Sequence, residues 1–306
     1  MNPIRIGTRG SPLALAQAHM TADALKEANP GTLTEVVIIK TMGDQILDRP
    51  LSEVGGKGLF TKEIEAQLIE GGIDCAVHSA KDLETIMPSP LTLGAFLPRE
   101  DVRDAFIGRG GVRFADLPGG ATVGTASLRR QALVRRARPD LKVAVLRGNV
   151  QTRLAKLGAG DCDATLLAMA GLNRLGQTHV VTEILPAETF PPALSQGAIA
   201  IQIRRDDDRM IGALAHIGHA DTETAVSAER GFLAALDGSC RTPIAGLATV
   251  EDGRVHLTGL VASPDGRELE DISTSGGAHD AAQVGYEAGK RLRSRIGETR
   301  FLSWTQ

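Results

Sequence analysis

Aromatic side chains are scarce in this 306-residue chain, where seven Phe, one Tyr and one Trp amount to 3%. Aliphatic residues must therefore fill its cores. The scarcity also argues against single-stranded nucleic acid as a partner, because such binders stack bases on rings inside basic grooves. Net positive charge is missing as well: the formal charge is -3, whereas a nucleic-acid binder carries a basic excess. Cysteine is rare. Cys75, Cys162 and Cys240 are odd in number and widely spaced, which suits neither a disulfide framework nor a zinc site, so no metal is expected. No run approaches the ~20 apolar residues of a membrane span. The opening MNPIRIGTRGSPLA has no apolar stretch of secretory type. A cytoplasmic chain with no membrane or nucleic-acid partner is expected. What remains is 42% apolar and 23% charged, the make-up of a soluble globular protein, at a length that suits two or three domains.

Strands and helices alternate through the first two thirds. Ile4 to Thr8 reads as a buried strand, and Ser11-Pro12 as an N-cap with a first-turn proline. Leu13, Ala16, Met20 and Ala24 then recur at helical spacing. Val36 to Ile39 predicts a second strand. A helix follows through Phe60, Ile64 and Leu68, with Lys62, Glu63 and Glu65 on its wet side, and then a strand at Ile73 to Val77. The pattern restarts with a strand at Ala121 to Gly124, a helix opening near Ser127, a strand at Lys142 to Leu146, a helix from Asn149 and a strand at Ala164 to Leu167. This predicts two similar α/β domains with parallel pairing, related as an internal repeat. Connections near Leu97 to Arg103 and at Pro191-Pro192 imply a double crossing, hence a hinge and a cleft. From Asp221 a helix runs to Leu236, followed by strands near 244–250, 255–262 and 268–273 and a closing helix near 279–296. That tail predicts a small α+β domain with a three-stranded antiparallel sheet. The expected domains are residues 1–97 with 198–217, residues 98–197, and residues 218–306.

Positive charge is concentrated in one place. Val123 to Arg153 holds seven arginines and one lysine against a single aspartate. Arg135, Arg136 and Arg138 read as a solvated helix face. Arg129 and Arg130 differ, because they fall in the first turn of a helix, where free N–H groups already carry partial positive charge. With the Thr125 and Ser127 hydroxyls they predict an anion site. Arg147 and Arg153 flank the next strand-to-helix turn, and Arg9 holds the equivalent place near the start. Ligands of α/β sheets bind beyond the C-terminal ends of strands. Gly55-Gly56-Lys57-Gly58 lacks the full phosphate-loop pattern. Planar arginine forks match carboxylates, so a polycarboxylate is the expected ligand, although spacing alone leaves phosphate open.

Three further features bear on chemistry. In VHSAKD, Val77 to Asp82, a strand delivers Ser79, Lys81 and Asp82 at its C-terminal end. That carboxylate is placed to steady a developing cation or to move a proton. Cys240 lies in a Gly-Ser loop beside Arg241, a setting that favours thiolate. Lys57 lies in a glycine-rich run before a helix, which reads either as a plain mobile loop or as a lid whose Lys57 reaches the cleft. His216 and His219 lack a third ligand and read as surface residues.

Ten blocks carry a resemblance: IGTRGSPLALAQA, VGGKGLFTKEIE, AVHSAKD, REDVRDAF, VGTASLRRQ, LRGNVQTRL, AGLNRLG, LSQGAIAI, AERGFLAALDGSC and TPIAG. In this order, over nearly the whole length, the chain resembles the porphobilinogen deaminase (hydroxymethylbilane synthase) family. Ala80, Leu83-Glu84 and Ser239 depart from the family's usual residues, none at a charged or nucleophilic position. The resemblance implies a transferase of tetrapyrrole biosynthesis that joins four porphobilinogen units head to tail with loss of ammonia. It implies a dipyrromethane cofactor bound through a thioether to Cys240, with Asp82 as the catalytic carboxylate. It implies Ser79, Lys81, Asp82, Thr125, Ser127, Arg129 and Arg130 as cofactor-binding, and Arg9, Ser11, Arg147, Arg153 and Arg174 as substrate-binding. It implies two domains like periplasmic binding proteins and a third with the cysteine; a monomer is expected. A two-lobed anion-binding module without chemistry would use the same cleft but would leave Cys240 without a role.

Overall fold

The computed structural model describes residues 2–45, 60–237 and 242–305. Backbone packing divides the chain into two units, Met1–Glu100 with Ala198–Glu223 and Asp101–Gly197 with Thr224–Gln306. The first unit opens with β1 (Ile4–Thr8), α1 (Pro12–Ala28), β2 (Thr34–Ile38), α2 (Met42–Gln45), α3 (Lys62–Ile69), β3 (Cys75–Ser79) and β4 (Leu91–Phe96). The second continues with β5 (Asp104–Gly108), β6 (Thr122–Gly124), α4 (Leu128–Ala137), β7 (Lys142–Ala144), α5 (Val150–Ala159), β8 (Ala164–Ala168), α6 (Met169–Arg174) and β9 (Glu183–Leu185). The chain then adds β10 (Ile199–Arg204) and α7 (Asp208–Leu214) to the first unit and enters α8 (Ala220–Ala235). β11 (Ile244–Glu251), β12 (Arg254–Ala262), β13 (Leu269–Gly277), α9 (Ala281–Ile296) and α10 (Glu298–Thr305) complete it.

The repeat expected from the sequence is visible in the strand orders. The first unit has a five-stranded sheet ordered β2-β1-β3-β10-β4, and the second one ordered β7-β6-β8-β5-β9. In each, the strand that the chain makes just after arriving from the other unit, β10 or β5, is inserted antiparallel between two others. The remaining pairs resolved as β1·β2, β1·β3, β6·β7 and β6·β8 are parallel. The central strands read as continuous apolar runs because helices cover both faces. Ile199, Ala200 and Ile201 in β10 are fully buried.

Local signals place the helix starts. Ser11 caps α1 by accepting from Ala14 N at 3.3 Å. Ser127 caps α4 by accepting from Arg130 N at 3.4 Å. Asn149 caps α5 by accepting from Thr152 N at 2.9 Å. Each cap follows a strand end, so the open ends of β1, β6 and β7 all lead into helix N-termini. In the second unit β11, β12 and β13 form the expected antiparallel sheet. Asp252 and Gly253, with φ of 49° and 72°, make its first tight turn. Phe232, Leu257, Val261 and Leu292 fill the core beneath it.

Some expectations need correction. α1 buries Gln17, Ala18, Thr21, Ala22 and Leu25, while Met20 is exposed. Its inner face is thus rotated away from the Leu13–Met20–Ala24 line, because Gln17 and Thr21 find buried partners. Glu65 is buried rather than wet, since it accepts from the Gln202 carboxamide at 3.0 Å. β7 ends at Ala144, three residues before Arg147. β4, β5, β9, α6 and α10 were not foreseen; several are short, and α10 follows directly on α9. Among the described residues no helix is long and apolar enough to cross a membrane.

Candidate active site

In the first unit, the C-terminal ends of β1 and β3 meet the start of α1. Thr8 ends β1, and Arg9, Gly10 and the cap Ser11 follow. Ser79 ends β3, and a single turn of 3-10 helix at Ala80–Asp82 follows it. Ala80 N donates to Ala198 O at 3.0 Å, which fixes that turn to the return of the chain. A cavity of about 70 Å³ opens here, and Arg9, Ser11, Gln17, Phe60, Ser79 and Asp82 line it. Asp82 is exposed to water, and Lys81 is half-buried. The Arg9 guanidinium stacks on Phe60, 4.1 Å from the ring centre. This cation–π contact orients the guanidinium plane. The Ser79 hydroxyl and the buried Gln17 carboxamide bond each other, at 2.9 Å from Nε2 and 3.1 Å from Oε1.

Behind β3 lies a buried polar chain. His78 Nε2 is 3.2 Å from Gln202 Oε1. Gln202 Nε2 donates to Glu65 Oε1, so its oxygen faces the histidine and the imidazole proton sits on Nε2. Burial pushes the His78 pKa down to about 4; the Gln202 bond opposes this and the nearby Arg9 charge adds to it. His78 is therefore neutral at physiological pH.

In the second unit, Thr125 and Ser127 shape the turn into α4. Thr125 is buried and its hydroxyl accepts from Ser127 N at 3.2 Å. Arg129 and Arg130 do not project into water, for both are buried against Asp104. Burial alone would push the Asp104 carboxyl up, but the Arg129 and Arg130 charges and their hydrogen bonds hold it well below the usual carboxylate range. Arg153 Nε donates to Gly148 O at 2.8 Å, which ties it to the turn that follows Arg147. Arg174 Nη2 donates to Gly197 O at 2.6 Å, at the point where the chain leaves this unit.

The structure thus brings Arg9, Ser11, Ser79 and Asp82 into one cavity, with Lys81 beside Asp82 in the chain. It gathers Thr125, Ser127, Arg129 and Arg130 at the start of α4. Cys240 and Lys57 lie outside the described residues. Sequence reasoning missed Gln17, Phe60, His78, Asp104 and Gln196 as parts of these sites. Gln17 had a signal, an amide among the apolar residues of α1. Asp104 had none, since its partners are distant in sequence. His219 proves to be a local cap: its Nδ1 accepts from Thr222 N at 3.2 Å.

Known proteins decide what this arrangement belongs to. The sequence model described as "Porphobilinogen deaminase, dipyromethane cofactor binding domain" matches residues 4–212. That of the porphobilinogen deaminase C-terminal domain matches residues 223–294. The chain belongs to the porphobilinogen deaminase family. A curated porphobilinogen deaminase of Nitrobacter hamburgensis is 58% identical over 298 residues, covering 97% of this chain and 94% of that protein. Among solved structures, the periplasmic VFT2 domain of BvgS from Bordetella pertussis has a TM-score of 0.39 at 17% identity, covering 70% of this chain and 86% of that one. YhfZ from Shigella flexneri has a TM-score of 0.39 at 16% identity, covering 78% and 99%. The α/β fold described above has two five-stranded sheets and a three-stranded antiparallel sheet.

Proposed function

We propose that the chain carries out its family's reaction with the residues just placed. It is a transferase of tetrapyrrole biosynthesis that joins four porphobilinogen molecules head to tail into hydroxymethylbilane and releases ammonia at each addition. Its three domains are residues 1–97 with 198–217, residues 98–197, and residues 218–306, the last carrying Cys240. The separate family matches at 4–212 and 223–294 support a distinct C-terminal part. We take it to act as a monomer in the cytoplasm, without nucleic acid; the sparse aromatics and the charge of -3 support the last point.

The donors fit a dipyrromethane, which is a polycarboxylate. Hydroxyls at Ser79, Thr125 and Ser127 and cations at Lys81, Arg129 and Arg130 suit its acidic side chains, and the buried Arg129 Nε has no hydrogen-bond partner among the described residues. Cys240 would anchor the group through a thioether. When bound, it supplies the primer to which pyrrole units are added.

Arg9, with Ser11, Arg147, Arg153 and Arg174, binds the acetate and propionate groups of porphobilinogen. Such charge-assisted bonds contribute roughly 1.5–3 kcal/mol each. Asp82 accepts a pyrrole N–H and stabilises the cation that develops on the substrate as ammonia departs. One observation carries this reading: Asp82 shares a cavity with Arg9, so a negative charge for the ring and a positive charge for its carboxylates lie side by side.

The test is Asp82→Ala together with Cys240→Ser. Asp82→Ala should stay folded yet lose about 100-fold or more in turnover, the usual cost of removing such an electrostatic group. Cys240→Ser should show the bare sequence mass, whereas the wild type carries an added dipyrromethane. Near-normal turnover in the first, or an adduct in the second, refutes the assigned roles.

A further inference from the structure

Arg129 and Arg130 place two like charges on adjacent residues at the positive end of a helix, and the fold buries both, leaving their side chains 5% and 6% exposed. Burying two cations is costly unless they are paired. The pairing comes from one residue. Asp104, the first residue of β5, is wholly buried. Its Oδ1 accepts from Arg130 Nη2 at 2.7 Å and from Gln196 Nε2 at 2.9 Å. Its Oδ2 accepts from Arg129 Nη2 at 2.8 Å and from Arg130 Nε at 3.1 Å. Each oxygen thus takes two donors, which fills the carboxylate. It has no capacity left to act as a base.

The two arginines are not equivalent. Arg130 commits every nitrogen to the protein, because its Nη1 donates to Leu166 O at 2.8 Å. Arg129 uses Nη1 on Pro191 O at 2.7 Å and Nη2 on Asp104, but its buried Nε has no hydrogen-bond partner among the described residues. A buried donor left open in this way calls for an acceptor from elsewhere. Charge accounting agrees: two guanidiniums and one carboxylate leave a single positive charge.

The geometry points to Asp104 as a positioning residue, which turns Arg130 inward and leaves Arg129 with one open buried donor and the cluster with one net positive charge, matched to one carboxylate of the bound pyrrole group. This rests on the assignment of these arginines to the dipyrromethane. It alters that assignment in one respect, for Arg129 is the ligand-facing member and Arg130 acts through Asp104. Gln196 extends the cluster, since its Nε2 also donates to Val102 O at 2.7 Å.

The experiment scores dipyrromethane occupancy by intact mass, per folded molecule as set by circular dichroism, in four variants of the full chain. Asp104→Asn keeps the shape but raises the cluster to two positive charges, and occupancy should drop about tenfold or more, as removal of one partner of a buried pair predicts. Asp104→Asn with Arg130→Gln restores one net charge and should regain most of the occupancy. A purely structural role for Asp104 would give no such rescue. Arg129→Gln should lose occupancy, and Arg130→Gln should lose less. Wild-type occupancy in Asp104→Asn, or a double variant no better than the single one, overturns the inference while leaving the wider reading intact. Wild-type occupancy in Arg129→Gln instead removes the assignment of Arg129 on which both rest. Should Asp104→Asn fail to fold, the double variant still decides, for it must fold and bind.

Discussion

Acid should act on this protein through His78. The imidazole is buried in the wall of the Asp82 cavity, with Nε2 bonded to Gln202 and Gln202 bonded to Glu65. Burial lowers its pKa from 6.5 to about 4 in the fold. Above pH 6.5 both folded and unfolded chains hold the ring neutral. Between 6.5 and about 4 the unfolded chain takes up a proton that the folded chain refuses, so stability falls as pH falls through this window. At ~1.4 kcal/mol per pH unit, the whole window costs about 3 kcal/mol. His78→Gln keeps an N–H donor toward Gln202 and removes the titration. Urea denaturation of both proteins at pH 7.5 and pH 4 isolates the effect, because other acid-sensitive groups are common to both. The wild type should lose about 3 kcal/mol more than the variant. In proton NMR the resonance absent from the variant should stay in its neutral position down to about pH 5. Parallel losses in the two proteins, or a His78 resonance that titrates near 6.5, would refute the reasoning.

Two further predictions follow from packing. A Cβ at Gly285 would lie 1.8 Å from Ala228 O, and one at Gly231 would lie 2.1 Å from Ala282 O, so α8 and α9 touch through these glycines. Gly285→Ala gains helix propensity but clashes with backbone, and calorimetry should show a net loss of about 1–3 kcal/mol; a stabilised variant would contradict the contact. Arg9→Lys keeps the charge but loses the planar stack on Phe60. Steady-state kinetics should show KM for porphobilinogen raised about tenfold, the equivalent of ~1.4 kcal/mol, and an unchanged KM would remove Arg9 from the substrate site.

Much of this protein follows from local rules. Ser11, Ser127 and Asn149 cap helices where the sequence says helices begin, because a side-chain oxygen three residues from an N–H needs only local geometry. The alternation of apolar runs and helical spacings sets two α/β sheets, and Asp252-Gly253 sets a hairpin. Ser79, Lys81 and Asp82 were placed at a strand end by the same logic. The ordered blocks along the chain carried the family.

Tertiary structure decided where the polar side chains turn. Arg129 and Arg130 looked like open cations at a helix start, yet an aspartate 25 and 26 residues away draws them inward. Gln17 meets Ser79 across 62 residues, and Glu65 meets Gln202 across 137. Periodicity assigns a side chain to a face but says nothing of what waits there. A charge or an amide can be buried only where a distant strand supplies its partner, so these positions are settled by the assembled sheet and not by neighbours in the chain.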